Sequence, residues 1–115
     1  MDNIYDLRVQ RYSDLLYVVQ DVIARRVDYS DVLEEMSELI GIGEEFKMRK
    51  EDSEVKLLGV KTITLTKELR TFNDLASRYK PTGRIVQKQM KSMLKTIRTV
   101  NGLIRKIEGR GVDVI

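Results

Sequence analysis

Apolar positions recur along this chain at the intervals of helices packed along their length. Val55, Leu58, Thr62, Leu65, Leu69, Phe72, Ala76 and Tyr79 follow one another at spacings of 3, 4, 3, 4, 3, 4 and 3. Val86, Met90, Met93, Ile97, Val100, Ile104 and Ile107 resume the alternation at 4, 3, 4, 3, 4 and 3. Side chains three and four residues apart share one face of an α-helix, so each run makes a continuous seam. Between the runs lies Lys80-Pro81-Thr82-Gly83. Proline drives the residue before it out of the helical region, and glycine tolerates the positive φ that a tight reversal often requires. The pattern predicts a long helical hairpin with arms 54–79 and 83–108.

The first half carries two further stripes. Tyr5, Val9, Tyr12, Leu16, Val19 and Ile23 keep the same alternation, and Leu15, Val18 and Val22 widen it. A broad apolar face belongs in a bundle of three or more helices, so a helix is expected over 2–26, capped by Asp2 or Asn3. After a turn at Val27-Asp28-Tyr29, Ser30 is the expected cap of a helix over 30–46 that buries Val32, Met36, Leu39 and Ile40. Gly41-Ile42-Gly43 either ends that helix or lets another backbone approach.

Three stretches read less simply. Lys47 to Glu54 is the most polar part of the chain, and the apolar phase before it does not carry into the phase that starts at Val55. A loop or kink is favoured there over a continuous helix, with Asp52 or Ser53 as cap. Val60 to Thr66 is rich in β-branched residues, yet the seam passes through it, which favours helix over strand. Residues 109–115 are expected as a short extended tail, in which Gly111 to Ile115 is the favoured partner should 60–66 be a strand. Gly102 falls inside the last helix, where a close crossing would explain it.

Composition narrows the chemistry. The 115 residues include no cysteine, histidine or tryptophan, so disulfides, zinc sites of the usual kind, Ser-His triads, thiol nucleophiles and Glu-x-x-His di-iron motifs are excluded. Gly41 and Gly43 lack the third glycine or the Gly-Lys-Ser/Thr of a phosphate loop, and 44–54 lacks the alternating ligands and central glycine of a calcium loop. No catalytic constellation is visible, and no cofactor or metal is expected. The start is acidic and lacks a basic segment followed by an apolar one, so a secretory signal is not expected there. The longest apolar run is Leu15 to Val19, far short of a membrane span.

Charge is divided sharply. Residues 1–54 hold 7 Lys/Arg and 14 Asp/Glu, a net of −7, whereas residues 55–115 hold 14 and 4, a net of +10. Opposite the seam of the last helix stand Arg84, Lys88, Lys91, Lys95, Arg98 and Arg105, at spacings of 4, 3, 4, 3 and 7, with Gly102 in the gap. At about 1.5 Å per residue this row is roughly 30 Å long. It suits a run of phosphates or an acidic protein surface, and the acidic first half is a counter-charge available within the chain or between copies. Aromatic residues do not interleave with it, so stacking on single strands is poorly supported.

The expected fold is therefore all-α: an elongated three- or four-helix bundle in one domain, with a coiled-coil-like C-terminal hairpin, assembling as a homo-oligomer. The expected self-association seam is Val55, Leu58, Leu65, Leu69, Phe72, Val86, Met90, Met93, Ile97, Val100, Ile104 and Ile107. The expected function is non-enzymatic: a structural or adaptor protein, of the size and character of a small virion or phage assembly component. It would reside in the cytoplasm or in a particle assembled inside a cell. The alternative is a nucleic-acid-binding accessory protein that uses the basic face.

Overall fold

The structure, a computed structural model, describes the backbone of residues 4–114 and the side chains of residues 10–109. Those residues form four α-helices, α1 (Ile4–Ile23), α2 (Leu33–Lys47), α3 (Ser53–Arg78) and α4 (Arg84–Val114), with a 3₁₀ turn at Tyr29–Asp31. No strand occurs among them, and 60–66 is helical. The helices pack in chain order, α1 on α2, α2 on α3 and α3 on α4. The result is an elongated all-α bundle, 49 × 24 × 21 Å. Asp2 and Asn3, the expected caps of the first helix, lie outside the described residues.

The first helix stops at Ile23, three residues short of expectation. Arg25 adopts a left-handed backbone with φ of 61°. Its N–H donates to the Val22 carbonyl at 3.1 Å, and that of Arg26 to the Asp21 carbonyl at 2.9 Å. This is the Schellman arrangement, which satisfies the last carbonyls of a helix and usually recruits glycine. The second helix also begins late. Ser30 sits in the 3₁₀ turn, Val32 precedes α2, and no side chain caps it. Glu34 and Glu35 in the first turn meet the positive end of the helix instead. The buried face of α2 is Met36, Leu39, Ile42, Gly43 and Phe46, continuing from buried Val32. Ile40, expected inside, is 40% exposed because it lies beside that stripe rather than on it.

Two glycines set how closely α2 and α3 approach. A Cβ on Gly59 would lie 2.4 Å from the Lys47 nitrogen and 2.5 Å from the Gly43 carbonyl oxygen. One on Gly43 would lie 3.2 Å from side-chain carbons of Thr62 and Ile63. The backbones therefore touch where side chains would hold them apart. Nearby, Tyr12 ties three helices together. Its fully buried ring meets Phe46 edge-on, with centroids 5.7 Å apart and planes at 67°. The Thr62 hydroxyl donates its one proton to the Leu58 carbonyl at 2.7 Å, so Tyr12 must be the donor in its own hydrogen bond to Thr62.

A loop separates α2 from α3, and Asp52 caps the latter, accepting from the backbone N–H groups of Glu54 at 3.1 Å and Val55 at 3.2 Å. At the hairpin, Tyr79 is extended and ends α3 one residue early. The Gly83 N–H then donates to the Lys80 carbonyl at 2.8 Å, closing a four-residue turn. Gly83 has no positive φ, contrary to expectation. What the turn uses is its missing side chain, since a Cβ would lie 3.0 Å from that same carbonyl oxygen. The last helix runs through Gly109 to Val114 where an extended tail was expected. Gly102 has nothing within 4 Å of where a Cβ would stand, so no close crossing accounts for it.

Candidate nucleic-acid interface

The rotation of α4 about its own axis decides what its cations can reach. Val86, Met93, Val100 and Ile104 are buried against the rest of the bundle. Polar contacts hold the same orientation from the flank. The Glu68 carboxylate on α3 accepts from the hydroxyls of Ser92 and, at 2.6 Å, of Thr96. The Glu68 carbonyl accepts from the Gln89 amide at 3.3 Å, and the Pro81 carbonyl from the Gln87 amide at 2.7 Å. With about 3.6 residues per turn, Arg84, Lys88, Lys91, Lys95 and Arg98 must then point away from the bundle, while Arg105 stands at the edge of the same face, beside α1. All six are exposed.

Their surroundings matter as much as their exposure. Ion pairs among the described residues join Arg11 to Glu38, Arg26 to Asp21 and Arg78 to Asp74. None involves the row on α4, and none joins the acidic first half to the basic second half. The most elaborate, Arg11–Glu38, is a two-pronged contact of 2.5 and 2.6 Å between α1 and α2, and that carboxylate raises the Arg11 pKa further. Glu68, which contacts the flank of α4, is held there by hydroxyls. Among the described residues the row thus stands in solvent without an ion-pair partner.

The apolar seam has a different fate. Val55, Leu58, Leu65, Leu69, Phe72, Val86, Met93, Val100 and Ile104 are buried within the single chain. Met90, Ile97 and Ile107 are half-buried against the same core. These twelve side chains close the hairpin on the rest of the bundle, so a second copy would have to use another surface. Sequence periodicity shows that a face is covered and is silent on what covers it.

One open cleft escaped sequence reasoning. It has a volume of about 290 Å³ between α1 and α4, lined by Ser13, Leu16, Tyr17, Gln20, Asn101, Ile104, Arg105 and Glu108. Its walls are some ninety residues apart in the chain, which no local pattern relates. The available signal was Tyr17, an aromatic off the apolar stripe and 66% exposed. Among the described residues no cluster of acidic groups is arranged to hold a metal ion, and no helix is long and apolar enough to cross a membrane.

Fold and surface together define a class: an all-α bundle presenting one long face of a single charge. Comparison with protein-family models, with curated proteins and with solved structures finds no match.

Proposed function

We propose that this is a non-enzymatic accessory protein that binds nucleic acid along the outward face of α4. One observation carries the reading: six exposed cations share a helix face roughly 30 Å long, and no described carboxylate of the chain pairs with any of them. A chain with 18 Asp/Glu had ample means to neutralise that row internally. A phosphate backbone gains from such a face because each neutralised phosphate releases condensed counterions, which gives salt-dependent affinity without a pocket. The test is fluorescence anisotropy of a labelled oligonucleotide, with wild type against the triple variant Lys88→Glu, Lys91→Glu and Lys95→Glu. All three side chains are exposed, so circular dichroism should be unchanged. Affinity should fall more than tenfold in the variant and steeply with salt in the wild type. Equal affinity of the two proteins would refute the proposal.

A second reading, a self-associating structural or adaptor protein, keeps one supporting observation. The acidic half, net −7, and the basic half, net +10, remain without a described ion pair between them, which leaves the molecule electrostatically self-complementary. Head-to-tail pairing of copies would follow, and it would use charge rather than the buried seam. Mass measured in solution at low and high salt separates the readings: a large species that dissociates with salt, without nucleic acid, favours self-association.

A further inference from the structure

We infer that the partner on α4 is a duplex, gripped through its backbone without regard to base sequence; this rests on the nucleic-acid reading above and narrows it. The first ground is what the neutral side chains of α4 are doing. Reading an adenine edge takes a free Asn or Gln amide. Gln87 and Gln89 are already committed to the carbonyls of Pro81 and Glu68, and Asn101 lines the cleft against α1 instead of the basic face. The hydroxyls of Ser92 and Thr96 are committed to the Glu68 carboxylate, and that of Thr99 to the Lys95 carbonyl at 3.2 Å. Facing outward along the middle of the row are Lys88, Lys91 and Lys95, compact charges suited to phosphates, while the planar guanidinium groups of Arg84, Arg98 and Arg105 flank them rather than cluster.

The second ground excludes the flexible single strand. Sequence-tolerant binding of single strands relies on aromatic side chains beneath the bases. There is no aromatic residue in α4 from Arg84 to Val114. The helix instead carries its charges at one-turn intervals from Arg84 to Arg98, with a two-turn step to Arg105. A duplex offers the matching object, a stiff array with one charge per about 1.7 Å of axis. Over roughly 30 Å the helix passes enough phosphates to occupy most cations in the row, about five of the six.

The structure also supplies a variant that should bind better. Gly102 continues the row in phase, between Arg98 and Arg105, and open space surrounds its missing side chain. Lysine there fills the gap and is a better helix former than glycine. The experiment is anisotropy on wild type, Gly102→Ala and Gly102→Lys. The probes are 20-base-pair duplexes of A·T-rich and G·C-rich sequence and the matching single strand, each across a salt series. Expected are affinities for the two duplexes within about threefold, weaker binding of the single strand, and a log–log salt slope near −4 to −5, for about five engaged phosphates. Gly102→Lys should bind duplex several-fold tighter and steepen the slope by about 0.9, while Gly102→Ala matches wild type. A single strand bound as tightly as duplex, a tenfold preference between the duplexes, or no gain from Gly102→Lys would overturn this inference and leave nucleic-acid binding standing. Absence of binding to every probe at low salt would overturn both.

Discussion

Two glycines inside helices, Gly59 and Gly102, illustrate how position alone decides what a residue does. At Gly59 a methyl group would fall within 2.5 Å of backbone atoms of α2, which cannot step aside without separating the helices. Gly59→Ala should therefore destabilise the fold by about 1–3 kcal/mol or more, as overpacking does. At Gly102 the same change meets nothing and should stabilise by about 0.5–1 kcal/mol through helix propensity. Urea unfolding of the two variants checks both signs. The structure separates them: Gly59 adjoins Leu58 on the seam side, whereas Gly102, where a close crossing was expected, stands opposite Val100 and Ile104. Tyr12 makes a different point. Burial pushes its hydroxyl well above the usual tyrosine range, and the hydrogen bond to Thr62 only partly counters this. The folded state thus holds that proton more tightly than the unfolded chain, whose tyrosines titrate near pH 10. The resulting stability is intact below that pH and is lost as pH rises above it toward the folded value. Tyr12→Phe should cost about 1 kcal/mol at neutral pH, the net worth of one hydrogen bond, and should shrink the alkaline loss seen in unfolding curves at pH 8 and 11. That tyrosine would be buried was legible from its place in the stripe. Its partner, fifty residues on, was not.

Helices announce their faces more clearly than their ends. The stripes lie where the three-four alternation puts them in α4, in α1 from Tyr12 onward and in α3 as far as Ala76, because burial has to follow the helical period. Tyr79 falls beyond the end of α3 and is half exposed, while Tyr5 and Val9 lie outside the residues whose side chains are described. Ends depend on local chemistry that different residue types can supply. Asp52, a good acceptor before an apolar run, could be named in advance as a cap, and Asp52→Ala should cost about 1 kcal/mol. The end of α1 had no such signal. An arginine occupies the left-handed position that glycine favours, so the helix was expected to run on to Arg26. Relieving that strain with Arg25→Gly should stabilise the protein by about 1 kcal/mol, read as a rise in thermal midpoint. Ser30 gave a false cap, because the residues that follow make a 3₁₀ turn which brings Val32 into the core. The expected break at Gly109 failed as well, since an exposed glycine lowers helix stability without ending the helix.

At the scale of the molecule, apolar and charged patterns answer separate questions. The apolar seam accounts for how one chain closes, and its side chains leave little for a second copy. The charged pattern accounts for what stays outside: a basic face on α4, set by the packing of the opposite side and by the Glu68 contacts. The row itself was readable from spacing. Its lack of ion-pair partners among the described residues was not, because only the folded arrangement shows which carboxylates come near it. The cleft between α1 and α4 was hidden for a like reason, its walls meeting only through tertiary packing. The most direct test of the central claim is to follow backbone amide resonances while a 20-base-pair duplex is added at low salt. Shifts are predicted along α4 between Arg84 and Arg105, fading as salt rises, with α1 and α2 unmoved. Shifts confined to α1 and α2, or spread evenly over the chain with α4 undistinguished, would contradict the account.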